Sequence, residues 1–165
     1  MIGCYPGSFN PATVAHVAIA EAAWQQCGLE RVDLVLSRVA LGKEGAPGPD
    51  VDERAETLRT LLAGRPWIGV VVTSSQLLAD VAAGYDILVM GADKWSQITE
   101  DRWYLSAGQR DAALSGLPTI AMAPRPPHRI PVHAIELEIP RQLWAVSSTG
   151  VRTGRQDWKA GGTGG

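Results

Sequence analysis

Ile2-Gly3-Cys4-Tyr5-Pro6-Gly7-Ser8-Phe9-Asn10-Pro11-Ala12-Thr13-Val14-Ala15-His16 is a β-rich run that breaks into a turn of small residues and passes directly into helical spacing. The pattern predicts a strand over Ile2–Tyr5 and a helix from Val14 to Cys27, with Ala15, Ile19, Ala22 and Ala23 at apolar positions and Gly28 closing it. A junction of this kind directs unpaired backbone N–H groups and the positive end of a helix dipole at one spot, where an anion is favoured. Thr13 and His16 lie three apart on the first turn and can both reach such an anion. An ordinary turn capped by Asn10 or Thr13 accounts for the same residues.

Outward from this stretch, β-rich runs and helical stretches keep alternating. Strands are predicted at Val32–Ser37, Trp67–Val72, Tyr85–Met90, Thr119–Met122 and Val132–Leu137. The continuously apolar Trp67–Val72 reads as a strand covered on both faces. Between the strands, Asp50 and Glu53 form a capping box ahead of a helix carrying Leu58, Leu61 and Leu62. Gln76–Ala83 and Gly108–Ser115 read as further helices, and Ser148–Trp158 as a terminal one. Leu41–Asp50 is a breaker-rich loop, and Pro124–His128 is a stiff one. This order implies an α/β fold, a Rossmann-like, doubly wound and mostly parallel sheet of five or six strands with helices on both faces. Ligands of such sheets sit at the carboxyl ends of the strands, near the point where strand order reverses. The chain reads as a single domain over residues 1–158, with 159–165 as a disordered tail rich in glycine.

Composition narrows the function classes. With 165 residues, 45% hydrophobic and 19% charged, the chain can build one core, and a net charge of −2 excludes nucleic-acid binding through bulk charge. Twelve of its fifteen cations are Arg, the side chain that forks onto phosphate oxygens. No apolar run is long enough for a membrane helix and no secretory leader is visible. Cys4 and Cys27 are too few for a disulfide framework. A cytoplasmic protein with no membrane or nucleic-acid partner is expected, and a homo-oligomer is compatible with everything in the sequence.

A second motif stands near the other end of the chain, Ser147-Ser148-Thr149-Gly150-Val151-Arg152. Hydroxyls and backbone N–H groups followed by an Arg one turn on make a phosphate site, although Ser-Ser-Thr also serves as a plain N-cap. Taken together, Gly7-Ser8-Phe9-Asn10-Pro11, Thr13-Val14-Ala15-His16 and Ser147–Arg152 resemble the motifs of the cytidylyltransferase-like nucleotidyltransferases. Within that superfamily the chain is most similar to nicotinate or nicotinamide mononucleotide adenylyltransferases. Gly91-Ala92-Asp93 looks like their Gly-x-Asp beside the adenosine, and Trp103-Tyr104 resembles their aromatic stacked on the pyridine ring. Lys43 and Arg54 fall where that group carries a basic pair. Ala15 departs from the motif, which has Gly there.

The resemblance implies transfer of AMP from ATP to a pyridine mononucleotide. It assigns His16, Thr13 and Lys43 to the reacting phosphates, and Gly7, Ser8, Phe9, Gly91, Asp93, Ser148, Thr149 and Arg152 to the nucleotide. It assigns Trp103 and Arg54 to the acceptor, with no metal-ligating residue of the chain's own and Mg²⁺ arriving on ATP. The expected partners are ATP and a small phosphorylated acceptor. Phosphopantetheine is the alternative acceptor, and a nucleotide-binding relative without turnover is the alternative from another class.

Overall fold

The alternation of strands and helices is realised in a computed structural model that describes residues 1–38 and 49–161. In chain order the elements are β1 (Ile2–Pro6), α1 (Val14–Gln26), β2 (Arg31–Ser37), α2 (Val51–Leu61), β3 (Ile68–Thr73), α3 (Leu78–Val81), β4 (Ile87–Gly91), α4 (Ala92–Ile98), α5 (Ala107–Ser115), β5 (Thr119–Ala123), β6 (Ile135–Glu136) and α6 (Ser148–Arg152). Short 3₁₀ turns occupy Asp101–Trp103, Arg141–Leu143 and Gln156–Trp158. The sheet order is β3-β2-β1-β4-β5-β6, and every neighbouring pair is parallel. The chain winds outward from β1 through β2 to β3, then crosses back to lay β4 against the other side of β1. That reversal puts a crevice between β1 and β4 at their carboxyl ends, the place where such sheets bind ligands.

Two buried layers flank the sheet because successive strand residues face opposite ways. Tyr5, Leu34, Leu36 and Val89 join α1 and α2 residues such as Ala23 and Leu58 on one face. Cys4, Val35, Leu88, Met90 and Met122 meet Val81, Ala92 and Ile98 on the other. Leu36, Leu58, Leu88, Met90, Met122 and Leu137 are fully buried, each contributing roughly 1.5–3 kcal/mol of transfer free energy. Among the described residues no helix is long and apolar enough to cross a membrane.

The structure departs from the sequence expectation at the periphery. β3 lies at the sheet edge instead of between covered faces, so its residues are only partly buried and Val71 is exposed. The sixth strand shrinks to Ile135–Glu136, since a turn closed by Ala134 N–H onto the Pro131 carbonyl takes the residues around Val132, whose side chain is exposed. The terminal helix stops at Arg152, just ahead of Gly154 in the left-handed region at φ 129°, and a 3₁₀ turn follows. α4 had no counterpart in the sequence reading. The boundary drawn after Trp158 also moves outward: Lys159 forms an antiparallel bridge with Thr13, and Ala160 is buried with its N–H on the Ala12 carbonyl. The Leu41–Asp50 loop lies almost wholly outside the described residues, as do 162–165.

Candidate active site

The loop from β1 to α1 is built from inside outward. Gly7 N–H continues the ladder onto the Val35 carbonyl at 3.0 Å. Phe9 then takes φ 47°, a left-handed conformation that costs a non-glycine residue about 1–3 kcal/mol and is stored at functional loops. Burial of its ring supports that strain: Phe9 is almost fully buried, edge-on to Tyr5 at 5.5 Å and to His16 at 4.9 Å. The loop backbone is thereby anchored by the ring beneath it.

Thr13 caps α1 through a reciprocal box whose second member is His16. His16 N–H donates to Thr13 Oγ1 at 3.3 Å, and Thr13 N–H donates to His16 Nδ1 at 2.9 Å. A backbone N–H can only donate, so Nδ1 presents its lone pair and the neutral ring carries its proton on Nε2. The cap therefore sets the tautomer of a ring that lines the cavity. Thr13 itself is buried and is not part of the lining; its bonds to His16 are its link to the cavity.

That cavity, about 350 Å³, opens at the β1/β4 crevice. Gly7, Ser8, Phe9, His16, Gly91, Asp93, Trp103, Ser148, Thr149 and Arg152 all line it, so most residues singled out from the sequence meet in one place. The α6 motif is fastened to the first loop: Ser148 Oγ donates to the Pro11 carbonyl at 2.7 Å, and the Arg152 guanidinium donates to the Asn10 carbonyl and to Thr149 Oγ1. Ser147 caps α6 by accepting Gly150 N–H at 3.0 Å. Trp103 Nε1 donates to the Gln97 carbonyl at 2.9 Å, while the Arg102 guanidinium lies 4.4 Å from its ring centroid and covers one face. Arg54 is not brought in: it lies on α2 outside the lining, and its guanidinium donates to the Pro49 carbonyl. Lys43 is outside the described residues.

Several lining residues were not marked by the sequence reading. Arg125, following β5, sits 3.4 Å from the Asp93 carboxylate and donates to the carbonyls of Trp144 at 3.2 Å and Val146 at 2.8 Å. It thus holds the end of β4 to the segment that leads into α6. β5 neighbours β4, so the loop after β5 also opens onto the switch point, and that topological rule was the available signal. Trp144 and Lys94 line the cavity too, as do Tyr104 and Ser147 beside the motif residues already named. Tyr5 lies at its base; burial raises its phenol pKa, the Asp93 charge adds to the rise and Arg125 opposes it, so the hydroxyl stays protonated at neutral pH. Among the described residues no group of three or more His, Cys, Asp or Glu side chains could hold a metal ion.

Three comparisons bear on this arrangement. A family model described as cytidylyltransferase-like matches residues 4–154. A probable nicotinate-nucleotide adenylyltransferase from Gloeobacter violaceus is 35% identical over 63 residues, which is 38% of this chain. The match spans 31% of that relative's length, less than a third. The solved structure of Plasmodium falciparum nicotinic acid mononucleotide adenylyltransferase complexed with NaAD is similar in fold, with a TM-score of 0.65 over 92% of this chain and 82% of that one, at 14% identity.

Proposed function

The chain belongs to the cytidylyltransferase-like family, and on that premise we propose that it transfers AMP from ATP to the 5′-phosphate of nicotinate or nicotinamide mononucleotide, releasing pyrophosphate. The observation that carries this reading is the convergence of His16, from the first motif, with Ser148, Thr149 and Arg152, from the last, in one cavity at the switch point. The names of the Gloeobacter relative and the Plasmodium neighbour support the choice of a pyridine mononucleotide as acceptor.

In the reaction an oxygen of the acceptor phosphate bonds to the α-phosphorus of ATP. The bond from that phosphorus to the β-bridging oxygen breaks, and its electron pair leaves with pyrophosphate. A phosphate monoester has its second pKa at about 6, so the nucleophile is already ionised at neutral pH and needs no general base. This agrees with a cavity in which the Asp93 carboxylate is held by Arg125. Catalysis is then positioning together with stabilisation of charge on the α-phosphate and the leaving group.

His16, donating from Nε2, serves the α-phosphate together with backbone N–H groups at Ser8 and Phe9, above the glycine turn at Gly7. Ser148, Thr149 and Arg152 serve the β- and γ-phosphates. Gly91 and Asp93 border the adenosine, and the face of Trp103 away from Arg102 receives the pyridine ring. Lys43 is assigned to the acceptor or α-phosphate on the resemblance alone, and Arg54 has no part in this assignment. Mg²⁺ fits as a passenger of the triphosphate, since it keeps its waters and binds through substrate phosphates with few protein carboxylates. Bound with ATP it supplies further neutralisation of the leaving group. The free thiols Cys4 and Cys27 fit a reducing, cytoplasmic setting.

The test is pyrophosphate release with ATP and a panel of nicotinate mononucleotide, nicotinamide mononucleotide and phosphopantetheine. Release that requires one of the two pyridine mononucleotides is expected. Release with phosphopantetheine alone would move the acceptor. ATP binding without release for any acceptor would leave a nucleotide-binding relative instead of an enzyme.

A further inference from the structure

Beyond Arg152 the chain turns back and meets both phosphate motifs from outside the cavity. Arg155 N–H donates to the Gly150 carbonyl, and Gln156 Nε2 donates to the Val151 carbonyl, each at 2.8 Å. The Trp158 ring packs directly on the Gly150 backbone: a Cβ at Gly150 would fall 2.7 Å from Trp158 Cε3, closer than real side chains approach. The Arg155 guanidinium lies 4.1 Å from the centroid of the same ring and is itself paired with Asp157 at 2.9 Å. One residue later Lys159 bridges Thr13, and then Ala160 N–H donates to the Ala12 carbonyl at 3.0 Å.

α6 has five residues, too few to hold a helical conformation by itself. Its orientation must come from what packs on it. On the cavity side those contacts are the Ser148 and Arg152 bonds to the first loop. On the outer side they come from the segment Arg155–Ala160, which joins Gly150 to the residue that caps α1.

We propose that Arg155–Ala160 is a strap that sets the separation between His16 and the Ser147–Arg152 group, with Trp158 as its positioning residue acting through Gly150. Trp158 does not line the cavity, so its influence on a nucleotide is indirect. This inference rests on the reading that both motifs hold one triphosphate. Misplacement of one motif by an ångström costs on the order of 10²-fold in rate. The strap touches neither Trp103 nor Asp93 in any described contact, so the acceptor side is spared.

The experiment is a double-mutant cycle on Trp158→Ala and Gly150→Ala, read by calorimetric titration of ATP and of inorganic tripolyphosphate, with thermal unfolding and acceptor binding measured alongside. Trp158→Phe is the conservative variant. Each single alanine variant is expected to weaken ATP and tripolyphosphate binding by about tenfold while acceptor affinity stays within about twofold of wild type. The double variant should be no weaker than Gly150→Ala alone, since without the ring there is nothing for the new methyl to displace, and Trp158→Phe should restore binding.

Unchanged tripolyphosphate affinity in Trp158→Ala and Gly150→Ala, or losses that multiply in the double variant, would overturn the strap. If Trp158→Ala does not fold, Gly150→Ala and Trp158→Phe still decide the matter by the same titrations. Because the titrations need no turnover, wild-type ATP binding without product would sink the proposed reaction and leave the cycle to judge the strap. Normal turnover with a flat cycle would sink the strap alone.

Discussion

The two ends of the sheet handle polar groups in opposite ways. Toward the amino ends, the nearly inaccessible Asp33 on β2 accepts two bonds from Arg31, at 2.8 and 3.3 Å, and one from the Tyr85 hydroxyl at 2.9 Å. Gly69 on the neighbouring strand makes room for it, because a Cβ there would collide with the carboxylate. Nearby Cys4 is pushed up to about 12 by burial, with a smaller push from Asp33, and stays a protonated thiol. The described partners of the Asp33 carboxylate all belong to the chain, and that carboxylate is closed off although Arg31 is itself half exposed. At the carboxyl ends His16, Ser148, Thr149 and Arg152 also bond to the chain, yet all four line an open cavity. A closed polar cluster fixes strand register, whereas polar groups converging on an opening leave bonding capacity for a ligand.

This contrast predicts that variants at the two ends affect different measurements. The largest effect belongs to His16→Ala, which removes the donor proposed for the reacting phosphate and should lower turnover by roughly 10²–10³-fold. Its stability cost is one capping interaction, about 1 kcal/mol. A variant retaining wild-type turnover would break the distinction between the ends. Asp33→Ala should do the reverse, with KM for ATP unchanged and a loss of about 2 kcal/mol, or roughly 4–8 °C in melting temperature. A changed KM with an unchanged melting temperature would mean that the closed cluster communicates with the cavity.

The smallest effect is a pH dependence. Burial raises the Tyr85 pKa, and its hydrogen bond to Asp33 and that residue's charge raise it further. A raised folded-state pKa contributes stability that is complete below the ordinary tyrosine value of about 10 and is lost as pH climbs through the folded value. Wild type should therefore lose stability above pH ~10 more steeply than Tyr85→Phe in denaturant titrations. Parallel curves would remove Tyr85 from the cluster.

Much of the carboxyl end was legible in the sequence because its chemistry is local. Gly7–His16 and Ser147–Arg152 are contiguous, and each forms its cap from residues three apart. The doubly wound order was equally readable from the alternation of β-rich and helical runs. Arg125 was readable only as part of a loop opening onto the switch point; its partners Asp93, Trp144 and Val146 are distant in sequence and meet only once β5 lies beside β4. Asp33 stands in the apolar run Val32–Leu36, where Arg31 two residues back is the local hint and nothing announces the Tyr85 bond that completes its burial. The segment after Arg152 differs for a similar reason: the sequence reads Ser148–Trp158 as one helix and 159–165 as a Gly-rich tail, yet Trp158 packs on Gly150 and Ala160 bonds to Ala12. Arg54 was placed by resemblance, and a basic residue on the first turn of a helix looks the same in sequence whether or not it lines a cavity.

Both motifs are proposed to hold one triphosphate for attack at its α-phosphorus. Incubation of the wild-type chain with nicotinate mononucleotide and ATP labelled at either the α- or the γ-phosphate tests it directly. The expected result is that α-label moves into a dinucleotide while γ-label leaves in pyrophosphate, in equal amounts. Release of γ-label as inorganic phosphate, or α-label recovered only in ATP, would contradict it.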